Sequence, residues 1–320
     1  MMVSFKPITI DDRDIITSYT LNSIYRNCDF SFANMCSWRF LYDSEYAISD
    51  GFLLIRFWIE DKSRLAYMFP LGKGDLKQAF CTIEKDSLEH GHPLLLLGIS
   101  PEAKTLAEET FPGSFTYIQE RDYYDYIYLR EDLVQLKGKK YQSKRNHINN
   151  FKKAYNYTYM PLTPEIVPQC LELERKWYKA NNTEEDGNEL SNERRSMTYA
   201  LQNYDKLGII GGAICVDGEI VAFSYGAPIN QDTFGVHVEK ADVNYDGSYA
   251  LINQEFASHI PDYFTYVNRE EDLGIPGLRK AKLSYQPAIL LEKNGAVKKP
   301  CKDCYNEKTR NRGTMACMLR

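Results

Sequence analysis

The sequence contains no long hydrophobic run. Its most apolar segments, residues 93–99 and 207–216, are much shorter than the roughly 20 residues that cross a bilayer. At the N-terminus, acidic residues follow too closely on the first apolar residues for a secretory signal. We therefore expect a cytoplasmic protein, whose eight cysteines remain reduced.

Several motifs that define enzyme classes are also absent. There is no G-x-S-x-G elbow, H-E-x-x-H helix, Walker A loop or G-x-G-x-x-G fingerprint, which disfavours hydrolase, metalloprotease, NTPase and dinucleotide enzymes. Cys301 and Cys304 form a lone C-x-x-C, which supplies two of the four ligands of a zinc site. We therefore predict no metal.

The chain has enough residues for two domains and is rich in aromatic side chains. It has 320 residues, 43% of them hydrophobic, and a formal net charge of −5. Residues 205–242 predict three antiparallel strands with a hairpin turn at Asp217-Gly218. A helix (248–260), a strand, a short helix ended by Pro287 and a last strand follow.

The first half repeats this order of elements without repeating its residues. A hairpin (52–71), a helix, a strand, a second helix and a tyrosine-rich extended segment (115–129) follow one another. We interpret the chain as two copies of one α/β unit. The predicted parts are an N-terminal domain, a basic connecting helix, a C-terminal domain with the active cleft, and a basic tail, at residues 1–136, 137–155, 156–295 and 296–320.

The connecting segment is unusually basic. Residues 137–153 hold seven lysines and arginines and no acid, within an acidic chain. We predict a positive face suited to a phosphate backbone such as tRNA, with a solvated helix surface as the alternative. The side chains assigned to this face are Lys139, Lys140, Lys144 and Arg145.

Three segments, taken in order, carry a family resemblance. They are DYYDYIYLREDLVQLKGKKYQSKRNHINNF (122–151), GVHVEKADVNYDGSYALINQEFA (235–257) and YVNREEDLGIPGLRKAKLSYQP (266–287). The sequence resembles the soluble bacterial proteins related to the C-terminal domain of phosphatidylglycerol lysyltransferase, in the acyl-CoA N-acyltransferase (GNAT-like) superfamily. Residues 143–149, SKRNHIN, are also similar to the segment joining the two halves of Fem aminoacyltransferases.

This resemblance implies a tandem GNAT-like α/β fold, with two mixed sheets flanked by helices. It also implies transfer of an acyl or aminoacyl group, since both relatives use aminoacyl-tRNA as donor. Their acceptors are a lipid hydroxyl or a peptidoglycan-precursor amine. No tightly bound cofactor is expected. The donor substrate would be aminoacyl-tRNA or acyl-CoA. The expected partners are tRNA and, as acceptor, an anionic lipid headgroup or a small amine.

The candidate catalytic groups lie on or after one strand. By the resemblance, residues 234–240 form the strand whose backbone meets the donor carbonyl. Glu239 and Asp246 are the preferred general bases, because a carboxylate at a strand end can be partly desolvated. His237 is a further candidate. The alternatives are a helix cap for Asp246 and a packed core histidine for His237.

Two further segments are candidate phosphate sites. CoA-dependent relatives carry a glycine-rich loop before the next helix, whereas this sequence has a single glycine there, which disfavours CoA. The helix start at Gly247, Ser248 and Tyr249 remains a predicted phosphate contact. Another set of cations follows on a short helix, with salt bridges to nearby acids as the alternative. Its members are Arg279, Lys280 and Lys282.

Three functions remain open from the sequence. An aminoacyltransferase that uses aminoacyl-tRNA is favoured. The second is an acetyl-CoA-dependent N-acetyltransferase. The third is a non-catalytic GNAT-like protein that binds tRNA, a nucleotide or a lipid headgroup.

Overall fold

The computed structural model describes residues 3–181 and 188–299, with only the backbone described at residue 181. Two mixed sheets dominate it, one of eight strands and one of seven. The strands are β1 (Lys6–Pro7), β2 (Glu45–Ser49), β3 (Phe52–Ile59), β4 (Arg64–Tyr67), β5 (Leu71–Gly72), β6 (Leu95–Ile99), β7 (Phe115–Gln119), β8 (Asp125–Leu129), β9 (Tyr157–Pro161), β10 (Ile210–Val216), β11 (Glu219–Pro228), β12 (Thr233–Ala241), β13 (Tyr266–Asn268), β14 (Ile289–Leu291) and β15 (Asn294–Lys298).

Helices cover the faces of both sheets. They are α1 (Arg13–Thr20), α2 (Phe32–Ser37), α3 (Arg39–Tyr42), α4 (Leu76–Glu89), α5 (Pro101–Thr110), α6 (Arg130–Gln135), α7 (Gln142–Ala154), α8 (Val167–Asn181), α9 (Glu189–Gln202), α10 (Tyr204–Leu207), α11 (Ser248–His259) and α12 (Pro276–Leu283). Within the described residues, none of these helices has the length and apolar character needed to span a membrane.

The predicted meander is confirmed. β10, β11 and β12 pair antiparallel, and the β10–β11 turn has φ of 50° at Asp217 and 86° at Gly218. Positive φ at both central turn residues is typical of a type I′ hairpin, which explains the aspartate-glycine pair. The prediction of a fold with two mixed sheets flanked by helices is also confirmed.

The two sheets exchange strands, so they do not follow the predicted domain limits. The first sheet runs β1-β2-β3-β4-β6-β15-β7, with β5 beside β3, and the second runs β14-β8-β13-β12-β11-β10-β9. β8 belongs to the second sheet, although residues 1–136 were expected to form one unit. β15 completes the first sheet and contains residues 296–298, which were predicted as tail. The rest of the tail, from residue 300, lies outside the described residues, as do Cys301 and Cys304.

Burial explains the exchange of strands. Tyr126 and Tyr128 of β8 are fully buried in the core beneath α6, α7 and α11. Ala296 of β15 is fully buried in the other core, which also contains residues of α8 and α9 and one face of β11. Because each strand buries its side chains in the opposite half, the two halves are joined by sheet hydrogen bonds and not only by the connecting helix.

The basic connecting segment is helical, as predicted. A 3-10 turn (Lys139–Tyr141) leads into α7, whose Ile148 and Phe151 are buried in the core of the second sheet. One face of α7 is therefore fixed against α11, and its polar residues lie on the other faces.

Candidate functional site

The second sheet opens between two parallel strands. β12 and β13 pair over three residues only, from Thr233 opposite Tyr266 to Gly235 opposite Asn268. β13 then ends, whereas β12 continues to Ala241. The result is a gap in the sheet beside residues 237–239 of β12.

A β-bulge lies at the start of this gap. Tyr225 of β11 pairs with Val238, but its neighbour Gly226 pairs with Val236, so His237 is the extra residue on β12. A bulge redirects the side chains that follow it, and bulges are frequent beside active sites. Val236 packs in the core of the second sheet and Val238 against the other core, which is consistent with this change of face.

His237 bridges the gap on one face. Its Nδ1 lies 2.8 Å from Oε1 of Glu270, which follows β13, and its Nε2 lies 2.8 Å from Oγ of Ser31. A carboxylate oxygen accepts, so the neutral imidazole carries its proton on Nδ1 and accepts the Ser31 hydroxyl at Nε2. Asn34 also donates to Glu270, at 2.7 Å. This serine, histidine and carboxylate chain can accept and return a proton.

Glu239 bridges the gap on the other face. Arg269 donates from Nη2 to one carboxylate oxygen at 2.9 Å, and Asn253 of α11 donates to the other at 3.2 Å. The side chains of Glu239 and Arg269 are 14% and 12% exposed. The guanidinium of Arg269 also lies 4.9 Å from the ring centre of Tyr285. Glu239 therefore fixes two polar side chains at the gap.

Two atoms beside Glu239 have no hydrogen-bond partner. Nη1 of Arg269 and Oδ1 of Asn253 are both buried and unpaired. Buried donors and acceptors in native proteins are nearly always satisfied, so each unpaired atom requires an explanation. One donor and one acceptor on either side of a carboxylate can bind a ligand that carries both an oxygen and an N–H or O–H group.

Lys144 is the member of the predicted basic face that reaches this region. Its ammonium lies 4.0 Å from the ring centre of Tyr285. Burial lowers the pKa of Lys144, and the neighbouring charge of Arg269 lowers it further. Such a lysine is a candidate for contact with a reacting group.

The other cations of that face are placed differently. Arg145 donates to the backbone carbonyls of Leu136 and Gly138, so it fixes the turn before α7. Lys140 lies 3.5 Å from a carboxylate oxygen of Asp132, and Lys139 is exposed. The structure therefore brings only Lys144 of the four beside Glu239.

Asp246 lies on the surface. Its side chain is 80% exposed, and its carboxylate is 3.6 Å from Nδ1 of His147 in α7. Its contacts are thus with α7 and not with the Glu239–Arg269 pair.

The residues at the start of α11 contact other groups of the protein. A Cβ on Gly247 would lie 2.5 Å from the carbonyl oxygen of His147, so α7 packs directly on this turn. The hydroxyl of Ser248 donates to the carbonyl of Asp242, and the hydroxyl of Tyr249 accepts from the indole of Trp177.

Of the three cations of α12, Arg279 forms the salt bridges that were the alternative to a phosphate contact. Arg279 donates two N–H groups to Asp272, at 2.8 and 2.7 Å, and a third contact reaches Asp122 at 2.5 Å. Lys282 is buried and donates to the backbone carbonyls of Arg269 and Glu271, whereas Lys280 is exposed. Arg279 and Lys282 thus hold the segment after β13 in place.

A buried charge cluster near the gap was not predicted. The ammonium of Lys293 lies 3.0 Å from Asp29 and 3.0 Å from Asp125, and also contacts Glu271. Cys28, Asp29 and Glu271 are residue types that bind metals, but the ammonium of Lys293 lies among them. This cluster joins a 3-10 turn (Cys28–Phe30), β8, the segment after β13 and the residue before β15.

Sequence reasoning also missed Ser31, Asn253, Arg269 and Glu270 as site residues. Arg269 and Glu270 lie in the segment 266–287 that carries the family resemblance, directly after the end of β13, but no role was assigned to them. The signal that could have found them is this strand end itself, because residues that follow a splayed strand border the gap.

The protein therefore has a mixed α/β fold with two sheets flanked by helices, and a bulged strand borders a gap in the second sheet. More particularly, the chain belongs to the family described as phosphatidylglycerol lysyltransferase, C-terminal, whose model matches residues 23–293. The resemblance expected from the sequence is confirmed.

Solved structures share the fold. A conserved protein of unknown function from Bacteroides thetaiotaomicron is 52% identical, with a TM-score of 0.90 over 93% of this chain and 100% of that one. L-PGS from Bacillus licheniformis shares the fold, with 14% identity and a TM-score of 0.62 over 94% and 96% of the two chains. FemX has 9% identity and a TM-score of 0.56 over 95% and 99%.

One curated relative is uncharacterised. A protein of Mycoplasmoides gallisepticum is 27% identical over 173 residues, which are 53% of this chain and 54% of that protein. The matched region thus spans about half the length of this relative.

Proposed function

We propose that the protein is an aminoacyltransferase that moves an aminoacyl group from aminoacyl-tRNA to an amine or hydroxyl acceptor. The observation that carries this proposal is the unpaired pair of atoms beside Glu239. An aminoacyl ester has a carbonyl oxygen, which Nη1 of Arg269 can bind, and an α-amine, which can donate to Oδ1 of Asn253. Acetyl-CoA offers the carbonyl but no such amine.

His237 is the proposed proton acceptor. The acceptor's oxygen or nitrogen attacks the ester carbonyl carbon, and its proton passes to Oγ of Ser31 as the Ser31 hydroxyl proton passes to Nε2 of His237. Glu270 holds the other ring nitrogen and stabilises the imidazolium. The carbonyl electron pair moves to the oxygen, where Arg269 offsets the charge.

Collapse of the tetrahedral intermediate completes the transfer. The bond to the terminal ribose oxygen of tRNA breaks, and this oxygen takes back the proton from His237 through Ser31. Glu239 acts as a positioning residue, because it holds both Arg269 and Asn253 by hydrogen bonds. This replaces the assignment of Glu239 or Asp246 as the base with one that rests on the observed contacts.

The basic segment supports tRNA as the carrier. Lys144 faces the site, while Lys139 and Lys140 are exposed on the turn before α7. These positions suit phosphates of an acceptor stem whose end enters the gap. The family name supports lysine as the transferred group and a phosphatidylglycerol hydroxyl as one acceptor, in a reaction on the cytoplasmic side, where aminoacyl-tRNA is found.

Native mass spectrometry tests the choice of donor. The protein is mixed separately with lysyl-tRNA, uncharged tRNA and acetyl-CoA at two salt concentrations. We expect binding of tRNA that weakens with salt, tighter binding of the charged form, and no CoA adduct.

As a control variant, Asp14→Asn changes an exposed residue and should give the same binding results as the parent protein. A CoA adduct without tRNA binding would replace the proposal with an acetyl-CoA-dependent enzyme. Equal binding of charged and uncharged tRNA, with no transfer to any acceptor, would favour a binding protein without catalysis.

A further inference from the structure

A cavity lies between α2, α3 and α9, away from the gap between β12 and β13. Its volume is about 570 Å³, within the range of pockets that bind small molecules. Three arginines line it, Arg39 from α3 and Arg194 and Arg195 from α9, together with Phe40 and Tyr199. No residue assigned to acyl transfer lines this cavity.

Two of the three arginines have no carboxylate partner among residues 3–181 and 188–299. Arg194 lies 3.1 Å from Glu174, which is buried. Arg39 instead lies over the ring of Tyr199, with 4.8 Å between the guanidinium carbon and the ring centre. Arg195 lies over Phe40 at 4.0 Å. The cavity therefore has a surplus of positive charge.

The aromatic rings orient the two arginines for a ligand. A guanidinium that lies over a ring face can still donate from its outward N–H groups. Nη1 of Arg39 donates to Sγ of Cys36 at 3.2 Å, and its other N–H groups remain for a ligand. The two cations without a carboxylate partner, Arg39 and Arg195, repel each other, and a bound anion removes that repulsion. Phosphate suits them best, since arginine binds its oxygens by two parallel hydrogen bonds.

We propose that this cavity binds the phosphate group of a phosphate ester, through Arg39 and Arg195. The cavity is large enough for the organic part of a small ester, and Phe40 and Tyr199 offer apolar surface to it. The same chemistry is found in a soluble metabolite and in a phospholipid headgroup. This inference goes beyond the aminoacyl transfer and does not depend on it.

Helix α2 connects the cavity to the proposed transfer site. Ser31 and Asn34, at the start of α2, contact His237 and Glu270, whereas Cys36 and Ser37, at its end, line the cavity. The six residues of α2 span about 9 Å at 1.5 Å per residue. A phosphate ester bound here would thus lie one short helix away from the proposed proton acceptor.

Calorimetric titration of the full chain provides the test. The soluble probes are inorganic pyrophosphate and glycerol 3-phosphate. Binding to a lipid headgroup is tested separately, by sedimentation with vesicles of mixed phosphatidylglycerol and phosphatidylcholine. We expect Arg39→Gln and Arg195→Gln each to weaken binding about tenfold or more. Arg64→Gln, an equal change of charge at the half-buried first residue of β4, where Arg64 pairs with Glu60, is the control and should bind as the parent protein does.

The outcomes separate the two sources. Binding of the soluble probes that the arginine variants lose supports a small phosphate ester, and vesicle binding lost by the same variants supports a lipid headgroup. No binding of any probe would overturn the proposal, as would equal losses in Arg64→Gln. Far-UV circular dichroism of each variant checks that it is folded, and Arg195→Lys, which retains the charge, should lose part of the affinity. None of these readouts requires aminoacyl transfer.

Discussion

Each half of the molecule contains a short parallel contact between two strands, but the polar groups around the two contacts differ. In the first sheet, β4 and β6 pair at one position, Tyr67 opposite Leu96. The hydroxyl of Tyr67 donates to Asp86 at 2.5 Å, and Arg56 donates to both oxygens of Asp86 at 2.9 and 2.7 Å. Arg56 also donates to Glu45, so the charges around this contact are paired.

In the second sheet, the corresponding contact retains unpaired groups. β12 carries a bulge at His237, whereas the β3–β4 pairing next to the first contact runs without a register shift. Arg269 and Asn253 each keep one buried atom without a partner. The paired charges at the first contact stabilise that half, although amide oxygens of Asn27 and Asn294, in or beside the first sheet, are also unpaired. The unpaired arginine nitrogen at the second contact lies at the proposed transfer site.

The largest effects are expected when the arginine at each contact, Arg269 in the second sheet or Arg56 in the first, is replaced by glutamine. Arg269→Gln should lower aminoacyl transfer about 100-fold, because the developing oxyanion loses its donor. Arg56→Gln should instead lower the free energy of unfolding by about 3 kcal/mol or more, because Asp86 is left buried without its cation. Activity assays and urea unfolding of both variants measure the two effects. Loss of activity per folded molecule in Arg56→Gln would contradict the comparison.

The bulged residue should have the next largest effect. We expect His237→Gln to lower kcat about 100-fold, because proton transfer from the acceptor is lost, with a smaller change in KM. Glu239→Gln should lower activity less, since an amide oxygen still accepts from Arg269. Asp246→Asn should change it least, because that carboxylate is exposed. A larger loss in Asp246→Asn than in His237→Gln would restore Asp246 as the base.

Outside the gap, both halves should respond alike to acid. Burial alone would raise the pKa of Asp12 and of Asp272, but the hydrogen bonds to each carboxylate outweigh it and lower the pKa. The principal donors are Tyr46 for Asp12 and Arg279 for Asp272. A lowered folded-state pKa adds stability above the unfolded value, and that stability is lost as the pH falls.

We therefore expect the parent protein to lose unfolding free energy from about pH 5 downward. Asp12→Asn and Asp272→Asn should be less stable at neutral pH, by about 1 to 3 kcal/mol, and should lose less on acidification. Urea unfolding between neutral pH and acid measures this. Unchanged pH profiles in both variants would show that these carboxylates do not control acid stability. Asp14→Asn is the exposed control.

The smallest effects concern exposed charges. Replacing Lys139 and Lys140 by Gln should reduce the number of counterions released on tRNA binding by up to about two, measured from the slope of log K against log salt. Little change in stability is expected. The matched pair in the first half, Lys73 and Lys77, is also exposed and should have no effect when replaced by Gln. Equal effects of the two pairs would mean that tRNA binding has no preference for the second half.

Much of the local structure was predictable because it depends on short-range pattern. The hairpin at Asp217-Gly218 and the helix after residue 247 follow from turn chemistry and helical spacing. The exchange of β8 and β15 was not predictable, since it depends on which distant core buries Tyr126 and Ala296. Strand partners far apart in sequence leave no local signal.

The site was only partly predictable for the same reason. The resemblance identified the strand that carries His237 and Glu239. The importance of Arg269 depends on an unpaired atom, and the pairing of Arg279 with Asp272 depends on the turn between them. Both are properties of three-dimensional contacts, which composition and spacing do not encode.

The most direct test of the central claim is single-turnover discharge of radiolabelled lysyl-tRNA, measured for the parent protein and Arg269→Gln with phosphatidylglycerol or a small amine as acceptor. The account predicts that the parent protein transfers the lysyl group and that Arg269→Gln binds tRNA but transfers about 100-fold more slowly. Equal rates for the two proteins would contradict the assignment of the gap between β12 and β13 as the transfer site.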